Sequence, residues 1–169
     1  YRFRDDVDAK TVADTMVLTL KRRMAEGGVV IPSTLVFQNG MTLHELLTLA
    51  SIVQREALTS DDMRVVAGIF LTRLQIGMAL QADSTVNYIT GKKDAAVTLD
   101  DSRISSPYNT YTTLGLPPGP ISNPGIDAIM AVLEPNETDY LYFLTDLSGV
   151  AHFATNFDKH IENKYKYLK

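Results

Sequence analysis

The sequence predicts an α+β fold: a helix-rich single domain with a small antiparallel β-hairpin and a rigid Pro/Gly-rich loop. Three observations carry this reading. Apolar residues recur at helical spacing through most of the first 90 positions. Residues 105–125 hold five of the seven prolines and three of the ten glycines. Near the C-terminus two aromatic, β-favouring runs flank a short turn. The 169 residues suit one hydrophobic core, and a chain that is 45% hydrophobic and 21% charged has the composition of a globular protein.

The first helix is expected over residues 8–25, where Val12, Met16, Leu20 and Met24 line one buried face. Asp8 or Thr11 caps its start and Gly27-Gly28 ends it. "VVIPSTLVF" reads as extended linker or short strand, because it is β-branched and broken by Pro32. Thr42 and Glu45 have capping-box spacing, so a second helix begins near Leu43 and continues through "LHELLTLASIVQREAL". Ser60, followed by Asp61 and Asp62, starts a third that carries Val65, Val66, Ile69, Phe70 and Leu74 until Gly77.

A short helix follows over Ser84–Tyr88, broken by Gly91-Lys92-Lys93, and residues 94–104 give no clear periodicity. The proline-dense segment has few aliphatic side chains to bury, yet proline fixes φ, so it is expected to be an ordered, irregular loop. Asn123 then caps a helix with Pro124 at its first position, running to about Glu134. "DYLYFLTD" and "VAHFAT" around "LSG" form the hairpin, which needs packing partners because two strands alone are marginal in water. The tail from Asn156 is helical, with Thr155 and Asp158 in capping-box spacing.

Composition narrows the function classes. A net charge of −4 with 16 dispersed basic residues offers no field for nucleic acid or anionic lipid. With no cysteine there are no disulfides, thiolate metal sites or cysteine nucleophiles, while the redox compartment stays open. No apolar run approaches the roughly 20 residues needed to span a bilayer. The chain starts at Tyr1 without methionine, which fits a piece of a longer protein. His44, His152 and His160 show no HExxH and no i, i+4 pair, so no metal site is expected. Neither GxSxG nor a phosphate-binding glycine loop is present, and the Asn136-Glu137-Thr138 sequon is given no weight.

Two glutamates of the second helix stand out. At about 100° per residue, Glu45, Leu49, Ile52 and Glu56 form one row at the edge of the apolar arc. Glu45 has a capping role; Glu56 lies far from the helix start and has none. Either Glu56 snorkels to water or pairs with Arg64 or Arg73 of the next helix, or Leu49 and Ile52 desolvate it until it acts as an acid near neutral pH.

Four motifs in register, "LHELLTLASIVQRE", "RLQIGMALQADSTVNY", "SPYNTYTTLGLPPGPISNPG" and "DYLYFLTDLSGVAHFATNFDKH", resemble those of the MltG (YceG-like) endolytic murein transglycosylases. The resemblance covers almost the whole chain and is weakest at 25–40 and 90–103. It implies the excised catalytic domain of a bacterial enzyme held by an N-terminal transmembrane helix, with a LysM-like module before the catalytic part and its chemistry in the periplasm or extracytoplasmic space. It implies peptidoglycan glycan strands as substrate, cell-wall synthases of the penicillin-binding type as partners, and no cofactor.

The resemblance places the catalytic carboxyl at Glu56. It suggests Gln81, Asp83, Thr85, Asn109, Thr110 and Tyr111 as substrate-binding groups. Each also has a plainer role, as cap, turn or core residue. His152, Thr155 and Asn156 either line the same cleft or fix the hairpin to the last helix. The implied reaction needs one acid, since the substrate's own C6 hydroxyl replaces water; a hydrolase would need two carboxylates. A hydrolytic muramidase using Asp83 and a non-catalytic peptidoglycan-binding module are the alternatives. Three positions depart from the family pattern: Gln54 replaces an acid, Ala57 a threonine, and Ser84 a frequent proline.

Overall fold

The fold is built outward from one helix, α2 (Leu43–Glu56). Its capping box is present in full: Thr42 Oγ1 accepts from the Glu45 amide, and the Glu45 carboxylate accepts from the Thr42 amide at 2.8 Å. Leu46, Leu49, Ile52 and Val53 are completely buried. They pack against α3 (Ser60–Gln75) and α5 (Ile126–Leu133), which pack on each other as well. Val66, Phe70, Ile129 and Val132 supply the opposing surfaces. This three-helix layer is the core.

The structure is a computed structural model that describes residues 1–168 except Ser33, Leu35, Gln38 and residues 93–96. The expectations for "VVIPSTLVF", for Lys93 and for the start of the 94–104 segment therefore lie in part outside the described residues. Around the core, in chain order, stand α1 (Ala9–Glu26), α4 (Asp83–Thr90), a 3₁₀ turn at Asp101–Arg103, a hairpin of β1 (Tyr142–Thr145) and β2 (Ala151–Ala154), and α6 (Phe157–Tyr167).

The proline-dense loop lies along α2 and is bound to it residue by residue. His44 Nε2 meets the Pro118 carbonyl at 2.8 Å, Ser51 Oγ accepts from the Ile121 amide at 2.9 Å, and Gln54 Oε1 accepts from the Gly125 amide at 2.8 Å. Polar side chains on α2 thus serve as anchor points for backbone that makes few ladder bonds of its own.

The hairpin pairs Tyr142 with Ala154 and Thr145 with Ala151, and the Asp146 carboxylate organises its turn by accepting from the Ser148 and Val150 amides. Partners for its two strands come from both sides. Phe143 meets Phe70 of α3 edge-on at 5.8 Å, and α6 packs on both strands.

Several starts differ from the sequence-based expectation. Thr59, not Ser60, caps α3, its hydroxyl accepting from the Asp62 amide. The α4 helix is longer than expected and ends at Gly91, whose φ of 70° is a left-handed cap. Asn123 does not cap α5: Gly125 is the N-cap, and Pro124 stays outside the helix because the chain must remain extended to reach Gln54. Asn156, not Thr155, caps α6. Helix α2 stops at Glu56, as Ala57 is extended.

The largest difference is α1. Its Asp8 cap and Gly27 end match expectation, but the face expected to be buried is not: only Met24 is buried, and Met16 is 50% exposed. Helical spacing reports amphipathicity, not the presence of a covering element. The end of α1 touches α5, since a Cβ on Gly27 would fall 2.4 Å from Ile126 Cγ1.

Gly68 in α3 permits another close approach: a Cβ there would lie 2.3 Å from the Asn136 carbonyl oxygen. Alanine normally stabilises a helix interior by about 1 kcal/mol over glycine, but here it strikes backbone, and overpacking costs roughly 1–3 kcal/mol. Gly68→Ala is therefore expected to destabilise the fold by about 1–2 kcal/mol, read as a lower urea midpoint with unchanged slope.

Candidate active site

Glu56 is the last residue of α2, half-buried, where a neighbouring helix begins. That helix, α4, has Ala82 as its N-cap and so no side-chain cap of its own. Its second amide, on Ser84, donates to Glu56 Oε1 at 3.0 Å. A carboxylate from one helix thus satisfies an orphan amide of another. Burial is the largest influence on Glu56 and raises its pKa above the usual carboxylate range; the Ser84 contacts oppose it, and the Asp83 charge adds to it. Neither Arg64 nor Arg73 pairs with Glu56: Arg64 binds the Glu134 carbonyl and Arg73 binds carbonyls elsewhere.

The segment feeding α4 is fixed by hydroxyl chemistry. Thr110 Oγ1 accepts from the Ala82 amide at 3.0 Å and meets Thr85 Oγ1 at 2.9 Å; the Gln81 amide donates to the Thr110 carbonyl at 3.0 Å. Asn109 is fully buried, with its Nδ2 on the Ser102 and Ile104 carbonyls and its Oδ1 accepting from the Tyr111 amide. The hydrogen-bonding atoms of Thr85, Asn109 and Thr110 are therefore engaged by protein, and these residues build the wall behind Glu56. Tyr111 and Asp83 are half-buried, and the phenol donates to Asp83 Oδ1. Burial first, and then that hydrogen bond, push the Tyr111 pKa upward, which keeps it a neutral donor.

Gln81 differs from the rest. It is exposed, and its φ of 49° is the one positive value outside glycine among the described residues. Left-handed backbone at a residue with a Cβ costs free energy and persists where its surroundings impose it. Here the Thr110 carbonyl, which holds the Gln81 amide, and the Thr110 hydroxyl, which holds the Ala82 amide, impose it. The Gln81 side chain is left in solvent beside the start of α4.

His152, Thr155 and Asn156 belong to the hairpin and α6. His152 Nε2 meets Asp146 Oδ2 at 2.8 Å and its ring stacks on Tyr167 with centroids 3.5 Å apart. Thr155 is half-buried in the bend between β2 and α6, and Asn156 caps α6. The structure thus sets Asp83 and Tyr111 where they interact with Glu56, and joins Gln81, Thr85, Thr110 and Asn109 around the start of α4, while His152 stacks on the last helix and Asn156 caps it.

A cavity of about 540 Å³ lies at the other end of α2, lined by His44, Glu45, Thr48, Leu74 and Pro117 among others. At 1.5 Å per residue, Glu45 and Glu56 stand about 16 Å apart along the helix axis, so this cavity is not the space in front of the perturbed carboxyl. Among the described residues, no cluster of three or more His, Asp or Glu side chains is arranged to hold a metal ion.

Sequence reasoning missed one group and gave another the wrong partner. The Ser84 amide is the first, because a backbone donor carries no residue-type signature. Arg73 is the other: its charge suggests an ion-pair partner for Glu56, yet it is 4% exposed and binds the carbonyls of Leu141, Ala79 and Leu80.

A family model described as the YceG-like family matches residues 1–166. The chain belongs to the YceG-like family. It is 43% identical over 131 residues to an endolytic murein transglycosylase of Bacillus subtilis, covering 78% of this chain and 36% of that protein. It is 32% identical over 169 residues to an endolytic murein transglycosylase of Streptococcus pneumoniae, covering 96% of this chain and 30% of that protein. The chain therefore spans about a third of the length of these curated relatives. A crystal structure of a YceG-like protein from Listeria monocytogenes superposes with a TM-score of 0.83 at 36% identity, over 96% of this chain and 52% of that one. The α+β expectation holds in this YceG-like fold.

The raised carboxyl pKa makes stability depend on pH. The folded pKa of Glu56 lies above its unfolded value, so its contribution is fully present below the unfolded pKa, near pH 4.5, and is lost as pH rises through the folded value. Glu56→Gln keeps an acceptor for the Ser84 amide and removes the buried charge. It is expected to melt higher than the parent at neutral pH, with the gain shrinking toward zero below the unfolded pKa, as followed by calorimetry across pH.

Proposed function

We propose that this domain is the catalytic part of an endolytic peptidoglycan lytic transglycosylase, cleaving the MurNAc-β-1,4-GlcNAc bond within glycan strands. The observation that carries the reading is Glu56: a single desolvated carboxyl, bound by protein at one oxygen, with no protein partner at the other among the described residues. The curated relatives, named endolytic murein transglycosylases, support the same chemistry.

In this mechanism Glu56 acts twice. Protonated, it gives its proton to the glycosidic oxygen as the bond from that oxygen to C1 of N-acetylmuramic acid breaks. Ionised, it takes the proton of the C6 hydroxyl as O6 bonds to C1. The carboxyl ends protonated, the sugar ends as a 1,6-anhydro ring, and no water is consumed. Burial suits the first step by favouring the protonated acid; the Ser84 amide suits the second by stabilising the anion. Asp83 is the nearest candidate for a hydrolase's second carboxylate, but its Oδ1 holds the Tyr111 hydroxyl. This favours a positioning role over activation of water. Gln81 has an exposed amide to offer the substrate.

By the same reading the native protein is held in the bacterial cell membrane by one N-terminal helix, with this domain on the periplasmic or extracytoplasmic side. Its partners are glycan strands and the synthases that extend them, and its products are strand termini made during wall assembly.

Digestion of peptidoglycan by the longer, LysM-containing form, followed by mass spectrometry, tests this. Anhydro ends are expected, and Glu56→Gln should lower turnover by on the order of 10²–10⁴-fold. Reducing ends in place of anhydro ends would indicate a muramidase, and binding without products a non-catalytic module. Unchanged cleavage by Glu56→Gln would remove the assignment altogether.

A further inference from the structure

The contact between Glu56 and α4 distinguishes the two oxygens of one carboxyl. The Ser84 N–H donates to Oε1 at 3.0 Å. An oxygen that accepts a hydrogen bond along that direction is favoured as the unprotonated oxygen, whichever protonation state the group is in. Oε2 has no partner among the described residues, is absent from the buried atoms that lack one, and belongs to a half-buried residue, so it keeps access to solvent.

Ser84 brings a second group. Its hydroxyl oxygen is buried and makes no hydrogen bond. A buried hydroxyl without a partner is uncommon and costs free energy. It stands close enough to the Glu56 carboxyl to favour the ionised form, though not in bonding geometry. Rotation about the Cα–Cβ bond is the movement open to such a hydroxyl.

We propose that Ser84 is a positioning residue for Glu56: its N–H fixes Oε1 as the acceptor, which leaves Oε2 to carry the proton that is transferred, and its hydroxyl turns onto the carboxylate once that proton has gone. The orphan hydroxyl is then unsatisfied in one half of the cycle and satisfied in the other. This rests on the acid/base role of Glu56 proposed above. The other charged or titratable groups facing Glu56 are Arg55 on its own helix, Asp83 on α4, and Tyr111 in the loop, whose phenol feels the Glu56 charge. None of these replaces the Ser84 amide at Oε1.

The first test needs no change to Ser84. In the intact protein, the amide proton of Ser84 is followed by NMR as pH rises. It is expected to move downfield along the ionisation of the Glu56 carboxyl, observed in parallel by ¹³C labelling, and Glu56→Gln should abolish the movement. An amide shift that ignores the Glu56 titration overturns the proposal, whether or not the protein cleaves glycan.

The second test separates hydroxyl from amide. Ser84→Ala keeps the N–H and loses the hydroxyl; Ser84→Pro loses both. The Glu56 titration, and with it the basic limb of the kcat/KM profile on glycan strands, should shift upward in Ser84→Ala and further in Ser84→Pro. A residue that merely packs would lower activity without moving that limb. A folded Ser84→Ala whose carboxyl titrates as the parent does would remove the hydroxyl's role. Absence of glycan cleavage by the parent, with the NMR coupling intact, would count against the enzymatic reading and leave the Ser84–Glu56 link standing.

Discussion

A buried guanidinium organises this fold. Arg73 lies in the last turns of α3, almost fully buried, with Nε on the Leu141 carbonyl and Nη1 on those of Ala79 and Leu80. Its charge also faces the Tyr142 ring at 5.2 Å. Desolvation lowers its pKa, and among the described residues no carboxylate stands within ion-pair distance. Several carbonyl dipoles and a ring face take the place of a counter-ion, an arrangement that works only if all of them are held in place. One side chain therefore ties together the end of α3, the linker that leads to Gln81, and the start of the hairpin. Together with Thr110, which holds the Gln81 and Ala82 amides, it turns the linker back toward the end of α2.

That turn is what creates the candidate site. The linker delivers Gln81 in left-handed backbone, then Ala82 and the bare start of α4, onto Thr110 and Glu56. Two opposing effects then meet at the carboxyl. Burial drives the pKa up, while the Ser84 hydroxyl and amide pull it down, and burial is the larger. An acid that also serves as a base, the role proposed for Glu56, benefits from both. A fully apolar pocket would hold its proton too firmly, and a fully polar one would not hold it at neutral pH.

The sequence made some of this legible and left some of it hidden. The Thr42–Glu45 capping box, the hairpin and the ordered proline loop follow from local rules, which the structure obeys because those rules concern neighbours in the chain. Glu56 stood out by lacking a local role, and its surroundings, built from Asp83, Ser84 and Tyr111 far along the chain, supply the reason. Where expectation failed, distant contacts had overridden local ones. Asn123-Pro124 would suit a helix start, but Gln54 holds Gly125 and moves the start along the chain. Asn109 and Thr110, whose residue types say nothing of their partners, are joined to protein groups from the linker and the 3₁₀ turn. The apolar spacing of α1 marks a stripe, and nothing in that spacing says whether another element covers it.

The proline loop's attachment to α2 bears on how the domain assembles. Its anchors join residues 70 and more positions apart. The Arg73 contact with Leu141 spans 68 positions and that of Glu56 with Ser84 spans 28. Contacts at such separations form late, after the entropy of closing long loops has been overcome. The unusual proton affinity of Glu56 is thus absent from any partly folded chain, in which it is an ordinary carboxylate. A chain emerging from synthesis unfolded would carry no poised acid, and the raised proton affinity would appear together with the complete tertiary structure.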